Sequence, residues 1–165
     1  MSDKKRPDTG FASPPCFLHE VDPTYLGYMS EEEMVAFLNE LLEAERAGAS
    51  GVGEMAAPSD AAHRPLLQTV AADEARFCAM LTRHIVRLHG RPTAVTGKFL
   101  DKLRATDGLE AKLNLLNRGQ GWVVKKLREG LQKIDDPMLY SDLREMLDAH
   151  EANIAACEKA LEQRA

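Results

Sequence analysis

The sequence predicts an all-α protein, an antiparallel four-helix bundle, and three observations support this prediction. Apolar residues recur with a period of 3.6 residues over four long segments, which is the pattern of an amphipathic helix. No segment shows the apolar–polar alternation typical of a half-buried strand. Turn and capping residues separate the four segments, so we expect each helix to fold back on the preceding one.

Local signals mark where each helix begins. Ser30 and Glu33 form a capping box, in which each side chain bonds the backbone N–H of the other residue. Proline at position 137 is suited to the first position of the fourth helix. A short additional helix is predicted over residues 97–104. The residues expected to cap the four long helices are, in order, Ser30, Asp60, Asp107 and Asp136.

Two parts of the chain are predicted: an extended N-terminal arm at residues 1–29 and the bundle at residues 30–165. Prolines and glycines break any helical period in the arm, whose first ten residues are expected to be disordered. The arm contains the pattern Cys-x-x-His at Cys16 and His19, which can bind a metal or provide a reactive thiol. The favoured interpretation is that this segment folds over the bundle through apolar contacts.

Composition limits the class of function. The net charge of -5 argues against a nucleic-acid partner, which a basic face would attract. No apolar run approaches the roughly 20 residues needed to span a bilayer, so no membrane partner is expected. The segment MSDKKRPDTG lacks the apolar stretch of a secretory signal. Three cysteines, an odd number and far apart, predict a reducing, cytoplasmic environment.

Each predicted helix has polar residues on its apolar face, near mid-length. They are Glu45 on the first helix, Glu74 on the second, Asn117 and Gln120 on the third, and His150 and Asn153 on the fourth. Residues equidistant from a hairpin turn lie at one level, because a helix rises about 1.5 Å per residue. These groups are therefore expected to converge in the bundle core. Two interpretations stay open: a metal site, or a polar core neutralised by arginine at Arg46, Arg76 or Arg118.

At this point the chain resembles the ferritin-like superfamily, and within it the bacterioferritin and rubrerythrin type of bundle, over about residues 30–163. The segment LNELLEAERAGA is similar to the family's first helix, with Glu45 at its ligand position. The segment ADEARFCAMLTRHIVRLHGRP is similar to the second, where Glu74 matches the Glu of an E-x-x-H motif and Phe77 replaces the His. The third-helix carboxylate would fall near Asn117 or Gln120. The fourth-helix E-x-x-H would fall on His150 and Asn153.

The resemblance implies a core that holds two iron or manganese ions through four carboxylates and two histidines. Two matching carboxylates remain here, so we expect a degenerate site that binds at most one iron, manganese or zinc ion. The predicted ligands are Glu45, Glu74, His150 and Asn117. The main hypothesis is a ferritin-like protein of unassigned biochemical role. The alternatives are a mononuclear-metal oxidoreductase or hydroxylase, and a non-catalytic oligomeric scaffold or stress protein.

Other features receive structural interpretations. His84 lies about ten residues beyond Glu74, too far along the axis to share a site, and is expected to be a core or interface histidine. Cys78 and Cys157 are expected to be small buried hydrophobic residues. Trp122, within a glycine-containing stretch, is predicted to anchor a dimer surface, and the resemblance also implies a homodimer. Any small-molecule ligand is left unidentified.

Overall fold

The computed structural model describes residues 22–162, and their regular structure is entirely helical. Within this range no strand is present, which confirms the all-α prediction. The predicted roles of Cys16 and His19 fall outside the described residues. A 3-10 helix at Pro23–Leu26 precedes five α-helices: α1 (Glu31–Ala56), α2 (Arg64–Arg87), α3 (Phe99–Arg104), α4 (Leu109–Leu131) and α5 (Pro137–Glu162).

The four long helices form two antiparallel hairpins, α1–α2 and α4–α5. Helix α1 also packs against α4, and α2 packs against α5, so the four helices stand at the corners of one bundle. The connection over residues 88–108 runs back along α1. Thr93 N–H donates to Asn39 Oδ1 at 2.7 Å, and Gly97 N–H donates to the Glu43 carbonyl at 3.0 Å. This return path makes neighbouring helices antiparallel, and it lays α3 against both α1 and α4.

The helix ends test the predicted caps. Ser30 forms the predicted capping box: Glu33 N–H donates to Ser30 Oγ at 3.2 Å, and Ser30 N–H donates to Glu33 Oε2 at 2.9 Å. Asp136 is confirmed as well, because its Oδ1 accepts from the N–H groups of Met138 and Leu139 at 3.0 Å. Both caps could be predicted from the sequence, because an N-cap side chain bonds a backbone N–H only two or three residues ahead.

The caps predicted at Asp60 and Asp107 are wrong. Helix α2 begins three residues later than expected, with His63 as N-cap, because Asp60 instead accepts from the N–H groups of an intervening turn. Gly108 occupies the N-cap of α4 with φ of 81°, a conformation that glycine adopts without strain, and no side chain caps this end. Asp107 therefore precedes the N-cap position of α4 by one residue.

The interior is divided into two hydrophobic clusters, one toward each end of the bundle. The first unites the N-terminal half of α1 with the C-terminal half of α2, and the second unites the opposite halves. Representative members of the first are Leu38, Leu41, Phe77, Leu127 and Leu147. Representative members of the second are Val52, Leu67, Val70, Leu113, Leu116 and Cys157. Between residues 22 and 162, no helix combines the length and hydrophobicity that a membrane crossing requires.

We expect Ser30→Ala to destabilise the protein by about 1 kcal/mol, because it leaves the Glu33 N–H without its cap acceptor. Urea unfolding monitored by circular dichroism measures this loss. Ser50→Ala is the matched control, since Ser50 is exposed in the body of α1 and alanine favours helix there. An equal effect of both substitutions would contradict the capping role.

Candidate functional site

A layer of buried polar side chains separates the two hydrophobic clusters, and every long helix contributes to it. Each member stands in its helix between residues of one cluster and residues of the other. We call this set the polar layer. It consists of Glu45 from α1, Glu74 from α2, Gln120 from α4, and His150 and Asn153 from α5. The 3.6-residue period turns these residues inward, and the hairpin geometry brings them to one level.

Glu45 and His150 form the central contact of the polar layer, and both side chains are 1% exposed. His150 Nδ1 lies 3.0 Å from the Met146 carbonyl and must donate to it, because a carbonyl oxygen only accepts. His150 Nε2 lies 3.2 Å from Glu45 Oε1. This second contact is a hydrogen bond only if one more proton sits on Nε2 or on the carboxyl group. The pair therefore shares a proton between two buried groups.

The pKa values of the pair reflect this arrangement. Burial raises the pKa of Glu45, and the hydrogen bond and charge of His150 offset only part of that increase. Burial alone would lower the pKa of His150, but the hydrogen bond and charge of Glu45 raise it overall, with a further contribution from the Met146 carbonyl. Both shifts favour retention of the shared proton.

Glu74 is the most poorly compensated group of the layer. It is 4% exposed, and no hydrogen bond from residues 22–162 reaches its carboxyl group. Burial, followed by the charges of Glu45 and Asp73, raises its pKa well above the ordinary value. The carboxyl group lies directly over the backbone of Gly48, where a Cβ atom would stand 1.4 Å from Glu74 Oε2. Glycine at position 48 therefore provides the space that this carboxyl group occupies.

The alternative of a polar core neutralised by arginine is not supported for Arg46 and Arg76, the two arginines nearest in sequence to Glu45 and Glu74. Arg46 donates to the Thr93 carbonyl, and Arg76 bonds to Asp73 and Glu145 at the surface. Arg118 is exposed on α4. No arginine of residues 22–162 forms an ion pair with Glu45 or Glu74, so the two buried carboxyl groups have no guanidinium partner there.

The second α5 residue of the polar layer, Asn153, bonds to helix α2. Asn153 Nδ2 donates to Asp73 Oδ2 at 3.1 Å, which ties α5 to α2. The ring of Phe77 lies with its centroid 5.6 Å from that of His150. In the resemblance Phe77 stands where a histidine ligand is expected, and the structure places an apolar ring there.

A cavity of about 460 Å³ opens beside the polar layer, between α1, α3 and α4. Glu45, Gly48, Glu74, Gln120 and His150 line its inner part. Its outer part is lined by Lys98, Phe99, Lys102, Arg118 and Trp122, among others. Because the lining extends from fully buried to exposed residues, the cavity connects the polar layer with the protein surface.

Several buried polar atoms at this level have no hydrogen-bond partner among residues 22–162. They are Glu45 Oε2, Asn117 Oδ1, Gln120 Oε1 and Gln120 Nε2. An unmade hydrogen bond on a buried group costs about 1–3 kcal/mol. Three of these atoms belong to residues that line the cavity, so a molecule or ion in the cavity is positioned to satisfy them.

The structure brings together three of the four predicted metal ligands. Glu45, Glu74 and His150 line one cavity, whereas Asn117 is not part of its lining and Gln120 represents α4 there. Within residues 22–162, no group of three His, Cys, Asp or Glu side chains is arranged to hold a metal ion. The assignment of these residues as metal ligands stays a prediction.

Sequence reasoning missed the contribution of the connection before α4. Lys98, Phe99 and Lys102 line the cavity, although only a short helix was predicted there. The available signal was the glycine at position 119, one residue before Gln120 on α4. A Cβ atom on Gly119 would stand 2.8 Å from the Phe99 ring, so this glycine admits α3 against α4.

The structure agrees with the interpretations of His84 and Cys157 and agrees only in part with that of Cys78. His84 is buried, and its Nε2 lies 2.7 Å from Asp142 Oδ2, away from the polar layer. Cys157 is buried, and Cys78 is half-buried. Burial raises the pKa of Cys78 to about 12 and that of Cys157 to about 11, so both thiols stay protonated. Trp122 lines the cavity, and its role at a dimer surface stays a prediction.

We expect Gly48→Ala to lose the stabilisation of about 1 kcal/mol that alanine normally provides over glycine inside a helix, because the new methyl group must displace the end of the Glu74 side chain. Gly53→Ala is the control: it lies exposed on the same helix with nothing within 4 Å, and should stabilise by about 1 kcal/mol. In a Glu74→Ala background the loss at position 48 should disappear. Its persistence there would show that another contact sets the need for glycine.

We also expect Glu74→Gln to stabilise the protein at neutral pH. Because folding raises the pKa of Glu74, the stability contribution of its proton is full below the ordinary value of 4.5 and is lost as pH rises through the folded pKa. The variant should match the wild type near pH 4 and exceed it at pH 7, by about 1.4 kcal/mol per pKa unit of the increase. Urea unfolding across this pH range measures the difference. Glu129→Gln, at an exposed acid on α4, should leave the profile unchanged.

Comparison with known proteins supports the fold. No curated protein matches the chain. A solved structure described as ferritin like, diiron-carboxylate proteins from Bacillus anthracis str. Ames superimposes with a TM-score of 0.58 at 19% sequence identity, covering 82% of this chain and 96% of that chain. This likeness confirms the ferritin-like prediction at the level of fold. A family model described as a domain of unknown function, DUF6306, matches residues 32–159. The chain therefore belongs to the DUF6306 family and has a ferritin-like fold.

Proposed function

We propose that the chain is a ferritin-like binding protein whose core site accepts at most one divalent metal ion, held by Glu45, Glu74 and His150. The observation that supports this most strongly is the state of the Glu45–His150 pair. Glu45 Oε2 has no partner among residues 22–162, and the bond from His150 Nδ1 to the Met146 carbonyl orients Nε2 toward Glu45. A backbone acceptor of this kind is typical behind a metal-binding histidine.

The available donors fit one ion and do not fit two. Two carboxyl groups and one imidazole line the inner part of the cavity, which suits a single iron, manganese or zinc ion. A pair of divalent ions would need more negative charge than Glu45 and Glu74 provide. Phe77 and Asn153 stand where the resemblance implies further ligands, and neither offers a carboxylate or imidazole. No di-iron chemistry follows from this set of residues.

The protein's own residues would control when the ion binds. A cation would replace the shared proton between Glu45 and His150, and it would neutralise the charge that makes burial of Glu74 unfavourable. Binding should therefore strengthen as pH rises. Because the three side chains do not already form a closed group, we expect weaker binding than at a preassembled site. Glu45, Glu74 and His150 would hold the ion, which would supply the Lewis-acid or redox chemistry of a mononuclear oxidoreductase.

A second candidate is a metal-free polar core in a non-catalytic scaffold. The direct Glu45–His150 contact at 3.2 Å favours it, since a proton alone can complete that contact. In this case the two buried acids would be neutral or share protons, and no cation would be needed for folding. The homodimer implied by the resemblance is compatible with both candidate functions.

The experiment is a binding titration of the chelator-treated protein with Mn²⁺, Zn²⁺ and, without oxygen, Fe²⁺, followed by calorimetry and metal analysis. We expect no more than one ion per chain, and an affinity lowered at least tenfold in Glu45→Gln, which removes a ligand charge. Glu40→Gln is the control: Glu40 lies at the cavity but is exposed and bonds Lys126 Nζ at 3.0 Å.

Each outcome separates the candidates. Two or more tightly bound ions per chain would overturn the limit of one ion. Equal affinity of the wild type and Glu45→Gln would place the ion elsewhere. Absence of binding at millimolar metal would eliminate the metal site and leave the metal-free core.

A further inference from the structure

We propose that the cavity beside the polar layer binds an amphipathic organic anion, with its acidic head at the mouth and its apolar body inside. We define the mouth by Lys98, Lys102 and Arg118, and the aromatic wall by Phe99 and Trp122. This proposal goes beyond the metal site and does not depend on it, because a metal ion would use only the polar layer at the inner end.

The mouth concentrates positive charge that the rest of the described chain does not neutralise. All three basic side chains are exposed, and none forms an ion pair or hydrogen bond with residues 22–162. Other basic residues nearby are paired, such as Arg104 with Glu54. Three free cations around one opening form a favourable site for a carboxylate, sulfonate or phosphate group.

The two exposed or half-buried acids in the lining are already engaged. Glu40 accepts from Lys126 Nζ at 3.0 Å, and Glu43 Oε1 accepts from Thr93 Oγ1 at 2.9 Å. Glu40 is neutralised by its ion pair with Lys126, whereas Glu43 bonds a neutral hydroxyl and offsets part of the positive charge of the three cations. A ligand with an ammonium head would meet the mouth first and be repelled there.

The interior of the cavity suits an organic body and is far larger than one ion requires. Its volume of about 460 Å³ falls in the range of small-molecule pockets, and apolar atoms contribute most of the exposed surface of its wall. Phe99 from α3 and Trp122 from α4 supply aromatic surface, supplemented by Leu115, Leu116 and Val123. At the inner end, neither polar side-chain atom of Gln120 has a hydrogen-bond partner among residues 22–162. A polar group on the far end of the ligand would satisfy them.

The test uses three probes with the same chain length and different head charges: octanoate, octan-1-ol and octylammonium. The full chain is treated with chelator, so that metal binding has no influence. Trp122 is the single tryptophan of the sequence and lines the cavity, so its fluorescence reports occupancy directly. We expect octanoate to bind at least tenfold more tightly than octylammonium, with octan-1-ol between them. Octanoate affinity should fall as salt is raised, because salt screens the exposed cations.

A triple variant, Lys98→Gln, Lys102→Gln and Arg118→Gln, separates the charge effect from general apolar binding. It should lose at least tenfold in octanoate affinity and retain that for octan-1-ol. Lys125→Gln is the control, since Lys125 is 75% exposed on α4 and outside the cavity lining. All substitutions lie on the surface and should preserve the thermal transition.

Three results would overturn the proposal: octylammonium as the tightest probe, unchanged octanoate affinity in the triple variant, or no fluorescence change at millimolar octanoate. None of these results bears on the metal titration, which monitors Glu45. Conversely, absence of metal binding leaves the expected order of the three probes unchanged.

Discussion

The contact between Glu45 and His150 imposes a constraint on the whole centre of the bundle. Two carboxyl groups and an imidazole lie in an interior that no arginine of residues 22–162 reaches. A buried carboxylate needs a proton, a cation or several hydrogen-bond donors. The structure supplies one shared contact and one backbone acceptor, which is too little for both Glu45 and Glu74. The missing compensation explains the raised pKa values of Glu45 and Glu74 and the unpartnered oxygen of Glu45.

A second buried histidine shows what a purely structural polar contact looks like in the same bundle. His84 bonds Asp142 through Nε2 and meets Arg87 through Nδ1, so both ring nitrogens have partners. Its surroundings also include a guanidinium and lie close to solvent. In the polar layer both nitrogens of His150 also have partners, but among residues 22–162 no guanidinium pairs with Glu45, and one oxygen of Glu45 and both polar atoms of Gln120 are unpartnered. Within residues 22–162, three of the four unpartnered buried side-chain atoms belong to Glu45 and Gln120, so incomplete pairing is concentrated at the cavity.

The sequence predicted those parts of the structure that depend on local geometry. The helical period turned Glu45, Glu74 and His150 inward, and counting from the turns placed them at one level. Caps at Ser30 and Asp136 followed from side chains that bond within three residues. The predictions failed where contacts between residues distant in sequence determine the partner of a side chain. Arg46 is adjacent to Glu45 in sequence, but its long side chain bonds Thr93 in the returning connection. Helical phase also could not distinguish Asn117 from Gln120, which differ by less than one turn.

The two hydrophobic clusters on either side explain why the fold does not need metal ligands at the level between them. Each cluster joins all four long helices by itself, so packing does not require ligands at the level between them. An apolar layer would even be more stable there, because Gln120 and Glu74 lose solvation without equivalent hydrogen bonds. Phe77, which belongs to the first cluster and lies one turn from Glu74, places an apolar ring against His150 at the edge of this level. Polar groups that lower stability while facing a cavity connected to the surface are best explained by what enters that cavity.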